Sequence, residues 1–132
     1  MKVYADNAAT TKMSPIAIKT MVKYMENVYG NPSSLHSVGQ EAAEALSQAR
    51  ETIAKYLGCS PKEIYFTSGG SEADNQAIIS AAEIGLRKGK KHIISTAFEH
   101  HAVLHTLDRL SKKGFEIELL PVDENGMIKP EQ

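Results

Sequence analysis

The segment Thr67-Ser68-Gly69-Gly70-Ser71-Glu72-Ala73-Asp74-Asn75 carries residue types suited to holding a phosphate group. Two adjacent glycines let a backbone turn tightly and approach a ligand closely. A helix starting behind them presents free N–H groups and about half a positive charge at its N-terminus. Ser71 adds a hydroxyl donor. The same composition also suits an ordinary strand-to-helix turn with Ser71 as N-cap, and on the loop alone the two readings stand level. No Gly-Lys-Ser/Thr ending and no Gly-x-Gly-x-x-Gly run is present, so neither a P-loop nor a dinucleotide fingerprint is in view.

Three histidines, His100, His101 and His105, fall in one stretch. His101 and His105 are spaced i and i+4, which places them on one helix face and suits a zinc pair. The run His-Ala-Val-Leu-His lacks the glutamate of a zinc-protease helix, and no third ligand stands at workable spacing, so no metal site is expected. A solvated or packed helix face accounts for His101 and His105. His92 is read as the start of a strand, and His36 as a residue that could line a cleft. The single cysteine, Cys59, sits between Gly58 and Ser60-Pro61 in a turn after a helix, and is read as structural.

These residues need elements to position them. Ser14-Pro15 is a helix start, with Ser as N-cap and Pro at the first position. Ile18, Met21, Val22, Met25 and Tyr29 then form one apolar stripe ending near Gly30. Residues 30–34 are a loop. A second helix is expected over 38–57, with Gly58 as its C-terminal cap. Residues 63–67 read as a strand rich in β formers, a third helix as 72–87, a strand as 92–96, a helix as 100–113 and a strand as 116–120. Strand, helix, strand, helix, strand implies α/β architecture with right-handed crossovers and a largely parallel sheet. In such a sheet ligands collect at the carboxyl ends of strands, where 67–75 lies. Residues 123–126 read as a turn and 129–132 as the opening of another helix, so truncation is expected.

The chain has 132 residues, 42% hydrophobic and 23% charged, with net charge −1. That is an ordinary globular balance and points to neither nucleic acid nor membrane. The longest apolar runs fall far short of the ~20 residues of a membrane helix, and the first residues do not resemble a signal peptide. One cysteine excludes an internal disulfide framework and fits a reducing compartment, so a cytoplasmic location is expected.

Four segments together resemble the cysteine desulfurases of the NifS/IscS type, pyridoxal-phosphate (PLP) enzymes of the class V group. They are Asp6-Asn7-Ala8-Ala9-Thr10-Thr11; Gly30-Asn31-Pro32-Ser33-Ser34 with His36 and Gly39; residues 67–75; and Glu99-His100 followed by Ala102-Val103-Leu104. They occur in the family's order, and the likeness runs over essentially the whole chain. Where many relatives have Ala-Thr this chain has Gly70-Ser71, which keeps the hydroxyl.

The resemblance implies a fold-type I PLP enzyme that takes sulfur from L-cysteine, leaves L-alanine, and passes the sulfur to an acceptor protein for iron–sulfur cluster assembly. It implies that Gly70 and Ser71 bind the cofactor phosphate and that His100 stacks on the pyridine ring and assists proton transfers. It places Asn7, Ala9 and Thr10 near the substrate. It implies a homodimer, with residues 1–13 associated with a small domain and 14–132 forming part of the large PLP-binding domain. The family's Schiff-base lysine, the acidic partner of the pyridine nitrogen and the sulfur-accepting cysteine belong to later segments. By itself the chain is therefore expected to be inactive and poorly soluble, and to work with the rest of the enzyme or a companion chain. Two other readings stay open: a non-catalytic module binding a phosphorylated ligand or a partner, and another class V enzyme such as a selenocysteine lyase or a related aminotransferase. A lysine and a cysteine on a companion segment would separate enzyme from module.

Overall fold

The computed structural model describes residues 1–129 and 131. The chain forms two compact units, Met1–Tyr65 and Phe66–Gln132. The helix start expected at 129–132 involves Pro130 and Gln132, which lie outside the described residues.

In the first unit, α1 spans Pro15–Asn27 and starts as expected: Ser14 is the N-cap, and its Oγ accepts the Ala17 N–H at 3.2 Å. None of its residues is buried, and the apolar stripe lies open, with Met25 and Tyr29 69% and 77% exposed. The second helix, α2, spans Ser37–Leu57. It ends at Gly58, whose φ of 68° is the left-handed cap that glycine adopts without strain. The N–H groups of Gly58 and Cys59 both donate to the Ala54 carbonyl, so Cys59, a half-buried free thiol, helps to finish the helix. Gly39 and Ala54 are the buried residues of α2.

Residues 61–63 form one 3-10 turn, closed by Ser60 donating its N–H to Glu63 Oε2 at 2.7 Å. The strand expected at 63–67 is not formed. Its residues have β propensity, but a strand requires a neighbour for its backbone groups, and propensity supplies none. Tyr65 stays 73% exposed.

The second unit is built from α3 (Gly70–Arg87), β1 (His92–Thr96), α4 (His101–Ser111) and β2 (Glu116–Leu120). The two strands pair in parallel, with His92 opposite Glu116 and Thr96 opposite Leu120. Parallel pairing needs a crossover, and α4 supplies it. The core gathers Ala82 of α3, Leu110 of α4 and Phe115, with Ile78, Ile93 and Ile117 packed around them. His92 does open β1, and its Nε2 lies 3.0 Å from Glu118 Oε2. Gly114, with φ 88°, turns the chain from α4 into β2. The turn after β2 is tied by Asp123, whose Oδ1 accepts the N–H groups of Asn125 and Met127, both at 2.9 Å. The α/β order is thus observed with two of the three expected strands. Among the described residues no helix is long and apolar enough to cross a membrane.

Candidate functional site

The third helix begins two residues earlier than its apolar pattern suggests, at Gly70, because Gly69 rather than Ser71 is the N-cap. That removes the reading in which Ser71 merely caps the helix. Gly69 has no side chain, so no side-chain oxygen covers the helix start. The first N–H bonded inside the helix is that of Ala73, donated to the Gly69 carbonyl at 3.1 Å. The N–H groups of Gly70, Ser71 and Glu72 have no acceptor among the described residues, as the geometry of a helix start dictates. A Cβ built on Gly69 or Gly70 meets no atom within 4 Å. The glycines therefore open onto free space rather than onto packed protein.

The rest of the loop satisfies itself. Glu72 turns back, and its Oε2 accepts both the N–H and the hydroxyl of Ser68, at 2.6 and 2.7 Å. The backbone N–H of Ser68, followed by its hydroxyl, holds the Glu72 carboxyl below the ordinary glutamate value. Thr67 donates its hydroxyl to the Gly69 carbonyl at 3.1 Å. What stays open is a set of donors at a positive helix end, which suits a phosphate monoester in charge and in hydrogen-bond polarity. These residues fit the phosphate of PLP.

His100 is the N-cap of α4, one residue before the helix proper. Its Nδ1 accepts the Ala102 N–H at 3.1 Å. An accepting Nδ1 leaves Nε2 as the nitrogen that carries the proton of the neutral ring. The ring of His101 lies 6.1 Å from that of His100 and stacks on that of His105 at 5.6 Å. His101 and His105 do share a face; among the described residues no group of three or more potential metal ligands exists.

Gly70, Ser71 and His100 belong to the same unit, and hydrogen bonds join the first turns that carry them. Asn75 Nδ2 donates to the Ser71 carbonyl at 2.7 Å and approaches the Ala102 carbonyl at 3.4 Å. Asn75 Oδ1 lies 2.5 Å from the Thr106 hydroxyl. No motif marks Thr106; its one signal in the sequence is a polar residue in line with Val103, Leu107 and Leu110 on the inward stripe of α4. Asn7, Ala9 and Thr10 lie in the other unit, in an exposed turn where the N–H groups of Ala9 and Thr10 reach the Asp6 carbonyl at 3.2 and 3.5 Å. His36, also in that unit, caps α2 through Nδ1, which accepts the Gly39 N–H at 3.2 Å.

Comparison with known proteins gives consistent matches. The family model for aminotransferase class-V matches residues 3–132. A cysteine desulfurase IscS of Methanosarcina thermophila is 47% identical over 130 residues, 98% of this chain and 32% of that protein. A solved NifS-like protein superposes with a TM-score of 0.93 at 44% identity, over 99% of this chain and 36% of that one. A structure of SspA in complex with cysteine gives 0.78 at 38% identity, over 87% of this chain and 33% of that one. The chain thus spans about a third of the length of the curated relatives it matches. The α/β fold expected from the resemblance is borne out by these superpositions.

Proposed function

The chain belongs to the aminotransferase class-V family, and we propose that it builds the phosphate grip and the ring-facing histidine of a PLP-dependent cysteine desulfurase. The observation that carries this reading is the uncapped start of α3, with three N–H donors open beside two glycines that face free space. The identity to cysteine desulfurases supports the choice of substrate.

PLP supplies, when bound, the electron sink that loosens bonds at the substrate's α-carbon. The chain's own residues supply attachment and proton handling. The N–H groups of Gly70, Ser71 and Glu72 and the hydroxyl of Ser71 hold the phosphate, and the α3 dipole favours its charge. His100 stacks on the ring; with Nδ1 committed to the Ala102 N–H, Nε2 is the atom that gives or holds a proton. Asn7, Ala9 and Thr10 lie toward the substrate, L-cysteine. The product is L-alanine, and the sulfur goes to an acceptor protein that feeds iron–sulfur cluster assembly. Residues 1–13 belong with a small domain and 14–132 with the large PLP-binding domain of a cytoplasmic homodimer.

The test is PLP titration of the protein as expressed from its own gene, followed by an assay for alanine formed from L-cysteine. Binding with turnover supports the reading. Binding with no turnover of cysteine or selenocysteine makes the loop a module for phosphorylated ligands, and absence of PLP binding overturns both.

A further inference from the structure

Thr106 is 1% exposed, the most enclosed polar side chain among the described residues. It stands in the stripe that Leu107 and Leu110 bury against the core. An apolar residue there would pack without needing any partner, whereas a buried hydroxyl must be satisfied. Its oxygen lies 2.5 Å from Asn75 Oδ1 and 2.9 Å from the Ala102 carbonyl. The Asn75 amide has one workable orientation. Turned over, Oδ1 would face the carbonyl oxygens of Ser71 and Ala102, and the NH2 group would leave them. One planar amide therefore bridges a carbonyl in the first turn of α3 and a carbonyl in the first turn of α4, and Thr106 holds that amide from behind.

We propose that Asn75 and Thr106 are positioning residues that set the spacing between the two helix starts, so that the phosphate donors of α3 and the imidazole of His100 meet the two ends of one PLP molecule. The proposal rests on the cofactor reading above. In PLP a one-carbon ester link joins the phosphate to the ring and limits how far apart the two can stand, so the protein groups that hold phosphate and ring must keep a separation within that reach. Apolar packing between α3 and α4 is non-directional and tolerates sliding. A hydrogen-bonded amide does not, because its donors and acceptor lie in one rigid plane. Neither residue touches the cofactor in this scheme. Asn75 acts through the Ser71 carbonyl, and Thr106 acts through Asn75 and the helix that begins at His100.

The experiment compares Thr106→Val, Asn75→Ala and the rescue variant Thr106→Ser in the protein as expressed from its own gene. PLP affinity and the visible circular dichroism of bound PLP are measured beside the affinity for inorganic phosphate. Thr106→Val is expected to weaken PLP about ten- to a hundredfold, the scale of one misaligned hydrogen bond to a charged group, and to alter the dichroism band. Inorganic phosphate needs only the α3 end, so its affinity is expected to stay unchanged. Thr106→Ser is expected to restore both PLP signals. Unchanged PLP affinity and dichroism, or a parallel loss of inorganic phosphate, overturns the proposal in favour of a purely structural contact. Should Thr106→Val fail to fold, Asn75→Ala carries the same expectation and the same refutation. A parent protein that binds no PLP removes the cofactor reading and this proposal together, and that outcome is visible before any variant is made.

Discussion

The glycine turns that open α2 and α3 differ in what occupies the space beside the glycines. At the start of α2 the chain fills that space itself. A Cβ on Gly39 would stand 2.6 Å from both Cβ and the carbonyl oxygen of Ser34, and 2.7 Å from the Asn31 carbonyl. Gly30 is as confined, against the backbone of Val38. The loop between them is stitched by Ser33 and Ser34 donating to Asn31, and by His36 taking the Gly39 N–H. At the start of α3 a Cβ on either glycine would meet nothing within 4 Å, and no side chain caps the helix. The first turn requires glycine so that the protein can close upon itself. The second leaves room for something that is not protein, and that contrast distinguishes a ligand loop from a packed one more sharply than glycine content does.

Breaking the closed turn is expected to have the largest effect. Gly39→Ala forces a methyl group into backbone oxygens that cannot move aside, and should cost about 3 kcal/mol, the upper range for overpacking. Chemical denaturation measures it; a loss under about 1 kcal/mol would show that the loop yields. Next comes Gly69→Val in the open turn. Gly69 has φ 166° and ψ 178°, extended backbone that any residue adopts, so the only stability loss expected is about 1 kcal/mol or less, because valine is a poorer N-cap than glycine. PLP affinity should fall about tenfold or more, because the valine side chain fills the open space and pushes the phosphate off at least one of its N–H donors, the weight of one hydrogen bond to a charged group. Equal losses of stability and affinity would erase the distinction between the turns. Gly70→Ala should be milder still, gaining up to about 0.4–1 kcal/mol from reduced unfolded-state freedom while PLP binding persists, as read by thermal melting and titration.

Glu72→Gln is expected to be the smallest change, and its sign follows from the lowered carboxyl. A carboxylate whose folded pKa lies below its unfolded one contributes stability above the ordinary glutamate pKa, and loses it as pH falls through the folded value. The parent should therefore melt above the variant at neutral pH, and the gap should close on acidification below the ordinary glutamate range. A gap that persists there would mean that the charge of Glu72 does not hold Ser68.

Much of this was legible in the residues, and the parts that were not share a cause. Ser14-Pro15 and Leu57-Gly58 announce helix ends by local chemistry, and local chemistry decided them. The strands at 92–96 and 116–120 form because each has the other as its neighbour. Residues 63–67 look equally strand-like, but pairing belongs to two segments and one segment does not disclose it. α3 starts two residues before the position its sequence suggests, because Ser71 is a common cap type and only the backbone shows Gly69 in that place. The phosphate loop itself was visible as a motif. The confinement of Gly39 by Ser34, and the Asn75–Thr106 contact across 31 positions, are properties of approach in space.

The parallel pairing of β1 with β2 also sets how much chain the crossover must take up. His92 must find Glu116 across all of α4. Stretched out, the 11 residues of that helix reach about 36 Å at roughly 3.3 Å each. Coiled, they reach about 16 Å. Helix formation takes well under a microsecond, whereas joining distant strands is slow. The helix capped by His100 thus acts as a winch, taking up about 20 Å of chain so that the ends of the two strands come within reach of each other.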